Sequence, residues 1–82
     1  MSKQEQDNEI YRRVRRELNR RPVDCSKVQV SISYGVIFLS GEILPTRGLG
    51  GTLKQEYETI RNILLHIPGA REISDNNLRL VE

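Results

Sequence analysis

Residues 28–43, VQVSISYGVIFLSGEI, restrict the fold more than any other segment of the chain. Apolar and polar side chains alternate along VQVSIS, which predicts a strand with one buried face. The apolar run VIFLSGEI predicts a second strand. Only Tyr34 and Gly35 separate the two strands, and a short turn containing glycine is typical of a β-hairpin. The chain is therefore expected to contain an antiparallel pair of strands.

An amphipathic helix is predicted on each side of this hairpin. In the first, Ile10, Val14 and Leu18 recur every four residues, with Asp7 as the predicted N-cap and Pro22 as the stop. In the second, Thr52 and Gln55 match a capping box. Its apolar face is formed by Leu53, Tyr57, Ile60, Leu64 and Ile67.

The last segment, REISDNNLRLV, predicts a third strand with a bulge near residues 75–77. The order is helix, strand, strand, helix, strand. Because two helices with one apolar face each have to bury those faces, the predicted class is α+β: an αββαβ two-layer sandwich with both helices on one face of a three-stranded mixed sheet. The third strand can pair with either of the others. Residues 1–6 are expected to be flexible and 7–82 to form one domain.

The period of two divides the second strand between two environments. If Ile37, Leu39 and Ile43 face the helices, Val36 and Phe38 face away from them. With Tyr34, these two side chains are a candidate interaction surface for a lipid, a neighbouring domain or a second copy of the chain, although single exposed aromatics on open sheets are common. Three glycines are expected to be structural: Gly35 in the hairpin turn, Gly41 leaving room for a helix, and Gly69 ending the second helix.

Positive charge is concentrated at the start of the chain. Residues 1–21 carry seven basic and four acidic side chains, and residues 22–82 carry six and seven, which gives the net +2. On the first helix Arg12, Arg13 and Arg16 point away from the predicted core. A solvated helix face accounts for them, but the same face suits an anionic phospholipid surface or, ranked lower, the phosphates of nucleic acid.

The loop before the second helix, LPTRGLGG, offers a second candidate anion site. Glycines before a helix N-terminus leave backbone N–H groups available, and Arg47 and Lys54 flank them. The tetrad GLGG fits the G-x-x-G clamp of KH domains, but there the loop joins two helices. A flexible connector is the simpler interpretation.

Catalytic chemistry is not expected. Cys25 is the only cysteine and His66 the only histidine, and they lie far apart in the sequence. Cys25 is interpreted as a small residue before a strand, and His66 as a partner of the last carbonyls of the second helix. No catalytic, metal or cofactor site is predicted. The sequence has no secretory pattern and no apolar run near the ~20 residues of a membrane span, so the expected setting is the cytoplasm or a domain excised from an envelope protein.

The ordered set of motifs resembles the BON domain, the bacterial osmotic-stress-protein and nodulation domain. The matching pieces are DNEIYRRVRREL, the turn glycine Gly35, the strand positions Ile37, Leu39, Gly41 and Ile43, the turn IPGA, and Asn76 or Asn77. The resemblance implies an α/β sandwich that binds phospholipid or attaches a larger envelope protein to a membrane, without catalytic residues. Two departures are Tyr34 where the family often has asparagine, and the longer glycine-rich loop. A protein-interaction module using the sheet face and a nucleic-acid module remain the alternatives.

Overall fold

The structure, a computed structural model, describes residues 3–82 and has the predicted order of elements. Helix α1 spans Lys3–Arg20, strand β1 Val23–Ser33, strand β2 Val36–Pro45, helix α2 Leu53–Leu65 and strand β3 Glu72–Leu80. Both helices pack on one face of the three strands, so the α+β sandwich is confirmed.

The sheet has the order β1-β2-β3, with β2 in the centre. β1 and β2 are antiparallel, with Ser33 opposite Val36, so the hairpin turn consists of Tyr34 and Gly35 alone. β3 pairs with β2 in parallel, which decides the pairing that the sequence left open. A parallel neighbour needs a long crossover, and the loop after β2 together with α2 provides it.

The core is formed where the helix faces meet the inner side of the sheet. Ile37, Leu39 and Ile43 are buried in it, as predicted from the period of two. Burial of large aliphatic side chains contributes about 1.5–3 kcal/mol each. The side chains that are less than 2 % exposed are Ile10, Val14, Leu18, Ile37, Ile43, Leu53, Ile60 and Leu64. Ile10, Val14 and Leu18 are referred to below as the apolar stripe of α1.

The start of α1 differs from the prediction. The helix begins at Lys3, so residues 3–6 are helical and Asp7 lies one turn inside the helix rather than at its N-cap. The carboxylate of Asp7 instead accepts hydrogen bonds from the hairpin turn, through Oδ2 from the Tyr34 N–H and through Oδ1 from the Gly35 N–H, both at 3.0 Å. The prediction failed because aspartate accepts hydrogen bonds from free N–H groups either at a helix start or in a turn. The sequence does not specify which of these it binds. The predicted flexibility of residues 1–6 stays a prediction, and residues 1–2 lie outside the described part.

Each edge strand contains one extra residue relative to β2. Asp24 pairs with Leu44 and Lys27 with Glu42, so three steps along β1 match two along β2. In β3 the register shifts in the same sense between the partners of Phe38 and Ser40, which confirms the predicted bulge. β1 also begins at Val23, earlier than Lys27, where the alternating pattern starts, because the bulge interrupts the alternation.

Gly41 has a different role from the one predicted. A Cβ at this position would lie 2.0 Å from the carbonyl oxygen of Lys27, and the φ of Gly41 is +102°. The space that glycine leaves is therefore filled by the backbone of the β1 bulge, not by a helix. Gly35, with φ +82°, turns the hairpin as predicted, and Gly69 lies in the turn after α2.

The capping box at the start of α2 is confirmed. Thr52 Oγ1 accepts from the Gln55 N–H, and Gln55 Oε1 accepts from the Thr52 N–H, both at 3.1 Å. The preceding loop is held against the end of α1, since Thr46 Oγ1 donates to the Pro22 carbonyl at 2.8 Å. α2 consequently starts beside the C-terminal end of α1.

Candidate functional site

The exposed side of α1 carries the three arginines predicted as a binding surface. Arg12, Arg13 and Arg16 are exposed, whereas the apolar stripe is buried in the core. We call these three residues the arginine face. The helical period accounts for this exposure, because Arg12 and Arg16, two and six positions after Ile10, fall on the outer side of the helix. Arg13, three positions after Ile10, lies on the flank of the helix.

Intrahelical carboxylates neutralise only part of this charge. Glu9 Oε2 lies 4.0 Å from Arg12 Nη1, and Glu9 Oε1 lies 3.3 Å from Arg13 Nε, so a single carboxylate serves two guanidinium groups. Within residues 3–82, Arg16 takes part in no ion pair. Residues 12–20 contain five arginines and one glutamate. The second half of α1 therefore keeps a net positive charge.

The remaining arginines of α1 have structural contacts. Arg15 is half-buried at the edge of the helix, as predicted, and its Nη1 donates to the Val28 carbonyl of β1 at 3.4 Å. Arg20 Nη1 lies 3.5 Å from Glu17 Oε1. These contacts leave the arginine face as the part of the helix that is open to an external anion.

A groove between α1 and α2 borders the arginine face. Its volume is about 170 Å³, and it is lined by Arg13, Arg16, Glu17, Ile63, His66, Ile67 and Pro68. His66 is the C-cap of α2, and its Nδ1 lies 2.7 Å from the Asn62 carbonyl oxygen, which confirms the predicted interaction with the end of the helix. The position of His66 beside Arg13 and Arg16 was not predicted, because the sequence pattern of each helix gives no information on how the two helices are aligned.

The glycine-rich loop forms a separate region. Arg47 and Lys54 are exposed, and a shallow cavity lies between the loop and the first turns of α2. At this helix N-terminus the N–H groups of Thr52 and Gln55 are not available to an anion, since they donate within the capping box. Glu56 also lines this cavity.

Glu56 joins the two helices at this end of the molecule. Its Oε1 lies 2.5 Å from Arg21 Nε, and this hydrogen bond raises the pKa of the Arg21 guanidinium. A negative charge at the first turn of α2 also suits the helix dipole. The loop end is therefore organised around an internal ion pair, and it is set apart from the arginine face, whose last member lies four residues before the end of α1.

The outer face of the sheet is uncovered, and its apolar part is small. Phe38 is 41 % exposed and Val36 is half-buried, in agreement with the predicted orientation. The neighbours of Phe38 across the sheet are Ser31 on β1 and Ser74 on β3. Tyr34 is 62 % exposed at the hairpin turn with φ +51°, a conformation that few residues other than glycine and asparagine adopt readily.

A cleft of about 220 Å³ lies at the hairpin end of the molecule. It is lined by Gln6, Asp7, Tyr34, Gly35, Gly69 and Arg71. The Asp7 carboxylate is occupied by the turn, and the Arg71 N–H donates to the Gly35 carbonyl at 2.9 Å. The polar groups of this cleft therefore serve mainly to fix the hairpin against α1 and the turn after α2.

Two titratable side chains in the protein interior, Cys25 and Tyr57, have pKa values that burial raises. Burial raises the pKa of the Cys25 thiol, which is 8 % exposed. Burial also raises the pKa of Tyr57, whose hydroxyl donates to Asp75 Oδ2 at 2.5 Å and so joins α2 to the bulge of β3. Across residues 3–82, His, Cys, Asp and Glu side chains form no group of three that could hold a metal ion.

Comparison with known proteins gave no match. No protein-family model matches the chain, and no curated protein or solved structure is significantly similar to it. The resemblance to the BON domain therefore rests on the sequence motifs alone. In the described part of the chain, neither helix is long and apolar enough to cross a membrane.

Proposed function

We propose that this domain is a non-catalytic binding module that associates with anionic phospholipid surfaces through the arginine face. The observation that carries the proposal is that Arg12, Arg13 and Arg16 are all exposed on one side of a helix whose other side is buried. Each basic side chain close to an anionic membrane contributes about 1 kcal/mol of attraction. Three such residues together give reversible binding that added salt weakens.

The motifs shared with the BON domain support the same function. They lead us to propose that the module attaches a larger protein of the bacterial envelope, active under stress, to the membrane surface. Arg47 and Lys54 extend the proposed surface only if the loop end also reaches the membrane. The domain then acts as an adaptor that holds the larger protein at the membrane surface and has no catalytic role of its own.

Co-sedimentation with vesicles of phosphatidylcholine and phosphatidylglycerol tests this function. Reversal of Arg12, Arg13 and Arg16 to Glu is expected to abolish binding, and reversal of Lys27, Arg71 and Arg79 is the matched control. Each triple variant lowers the net charge by six, from +2 to −4, and all six substituted residues are exposed. Equal loss in both variants would show that net charge alone drives binding. No binding by the wild-type protein at low salt would refute the function.

A second candidate function is interaction with another protein, including a second copy of this chain, through the outer sheet face. The observation in its favour is the exposure of Phe38 on a face that no helix covers. Analytical ultracentrifugation of the wild type and of Phe38→Ser tests self-association. A monomer in both cases at high concentration would exclude a homodimer through this face.

A further inference from the structure

We propose that the groove between α1 and α2 is a specific site for a phosphate group and that His66 takes up a proton when the site is filled. This inference deepens the proposed function, on which its lipid source depends, because it adds a defined headgroup site to a surface that otherwise attracts anions by charge alone. The groove holds about 170 Å³ and draws its polar groups from both helices.

The α1 wall of the groove supplies the positive charge. Arg13 uses Nε for Glu9, which leaves its two terminal nitrogens as donors, and Arg16 has no ion pair within residues 3–82. Guanidinium groups bind phosphate oxygens through paired, charge-assisted hydrogen bonds. The carboxylate in this wall, Glu17, is engaged with Arg20 at 3.5 Å. Two guanidinium groups therefore remain for an anion.

The wall on the α2 side supplies His66 in a defined tautomer. A carbonyl oxygen only accepts hydrogen bonds, so the 2.7 Å contact between His66 Nδ1 and the Asn62 oxygen places a proton on Nδ1. In the neutral ring, Nε2 is then an acceptor, which cannot form a hydrogen bond with a phosphate oxygen that carries no proton. Protonation converts Nε2 into a donor, so binding of an anion beside it favours proton uptake.

The groups around His66 agree with this coupling. From α1, Arg13, Arg16 and Glu17 line the groove, and from α2 and the turn after it the other lining residues are Ile63, Ile67 and Pro68. A dianion bound between the two arginines would compensate the positive charge that His66 gains.

The ligand class is a phosphate monoester or inorganic phosphate. Such a group has two charges and three free oxygens, which match the donors Arg13 and Arg16 on the α1 side of the groove and His66 on the α2 side. Such a group is available from a lipid headgroup or from a soluble phosphorylated metabolite. The two sources share the same chemistry at the groove and differ in whether a membrane is needed.

Nuclear magnetic resonance titration of the full chain with inorganic phosphate tests the site without a membrane. We expect saturable shifts at the backbone amides of Arg16, Ile63 and His66, and a loss of affinity of about tenfold in Arg16→Gln. Arg12→Gln, which neutralises an arginine outside the groove, is the matched control and is expected to retain the wild-type affinity. Shifts that spread along α1 without saturating would overturn the proposal and indicate an adventitious ion only.

Sulfate keeps its charge between about pH 5.5 and pH 8, the range in which histidines change theirs. Any pH dependence of sulfate affinity in this range therefore comes from the protein. We expect sulfate to bind more tightly at the lower pH in the wild type and equally at both in His66→Gln. The folded state of each variant is checked by its amide spectrum. A pH dependence that persists in His66→Gln would overturn the proton uptake.

Vesicles of equal surface charge distinguish the two sources of phosphate. We expect tighter binding to vesicles with phosphatidic acid than with phosphatidylglycerol, and loss of this preference in His66→Gln, if a lipid headgroup fills the groove. Phosphate binding in solution without a vesicle preference would assign the site to a soluble ligand. If the protein binds vesicles but not phosphate, the groove proposal fails and the proposed function stands. If it binds phosphate but no vesicle, the groove proposal stands and the proposed function fails.

Discussion

Asp7, inside α1, accepts a hydrogen bond at 3.0 Å from the backbone N–H of Tyr34, which lies 27 positions later at the tip of the hairpin. The other carboxylate oxygen accepts from Gly35. Tyr34 and Gly35 both have positive φ, as in the type I′ turns that close two-residue hairpins. A tyrosine in this conformation costs about 1–3 kcal/mol, which the two hydrogen bonds that Asp7 accepts from the turn help to offset.

Asp7→Ala is therefore expected to destabilise the protein. Both turn N–H groups lose their partner, and the expected decrease in the free energy of unfolding is about 1–3 kcal/mol. Urea unfolding followed by circular dichroism measures it. Asn8→Ala, at an exposed neighbour on the same helix, is the control and is expected to change little. If the two variants have equal stability, the Asp7 contact does not support the turn.

Gly41→Ala is expected to cost at least about 2 kcal/mol. The new Cβ would meet the Lys27 carbonyl at 2.0 Å, and alanine tolerates the φ of +102° poorly. For a domain of this size, such a loss lowers Tm by about 8 °C or more. Differential scanning calorimetry provides the measurement.

Gly50→Ala is the matched control for Gly41→Ala. A Cβ at Gly50 meets no atom within 4 Å, so its Tm should remain close to that of the wild type. An equal decrease in Tm for both variants would mean that the loss of glycine flexibility, and not the contact with the bulge, is responsible.

Tyr57→Phe is expected to lower the free energy of unfolding by about 1–2 kcal/mol at neutral pH, because it removes a hydrogen bond to a charged acceptor. Asp75 keeps its ion pair with Arg61, at 3.7 Å, so it is not left without a partner. Urea unfolding compares this variant with Tyr11→Phe, at an exposed position. Equal stability of the two variants would indicate that the Tyr57–Asp75 bond contributes nothing net.

Alkaline pH should weaken the wild type more than Tyr57→Phe. Burial, followed by the hydrogen bond to Asp75, raises the pKa of Tyr57 above its ordinary value near 10. The folded state therefore holds this proton more tightly, and the resulting stability is fully present below about pH 10 and is lost as pH rises further. Unfolding measured between about pH 8 and pH 11 tests the difference. Parallel decreases in both proteins would contradict it.

Cys25 should react slowly with thiol reagents while the protein is folded. The side chain is 8 % exposed and burial raises its pKa, so little thiolate is accessible. Absorbance assays with a chromogenic disulfide at about pH 8 should show a rate that increases steeply in urea. A Cys25→Ala, Ser26→Cys variant moves the thiol to an exposed position and should react rapidly without urea; a fast reaction of the native wild type would refute the prediction.

The elements of this fold were predictable because each has a local pattern. The alternation of Val28, Val30 and Ile32 and the box formed by Thr52 and Gln55 need no knowledge of distant residues. The predictions that were wrong concern features that depend on contacts between different helices and strands. Asp7 has the properties of an N-cap, and only the position of the hairpin beside α1 shows which N–H groups it binds.

The candidate site shows the same division. The helical period alone predicts that the arginine face is exposed. The groove depends on the alignment of α1 with α2, which places His66 near Arg16, and no pattern within either helix specifies that alignment. Gly41 was predicted to be structural, but the reason, the bulge at Lys27, lies on another strand. In the sequence this bulge shows only in that the alternation starts at Lys27, later than the start of the strand at Val23.

The extra residues in β1 and β3 have a consequence for the behaviour of the protein at high local concentration. Both outer strands contain an extra residue at a register shift relative to β2, which has neighbours on both sides. Interrupted edges are poor templates for adding a strand from another molecule, so sheets of neighbouring copies do not readily fuse into a continuous ribbon. If the domain binds membranes as proposed, copies crowded onto one membrane patch are therefore expected to remain separate molecules and not to form a fibrous aggregate.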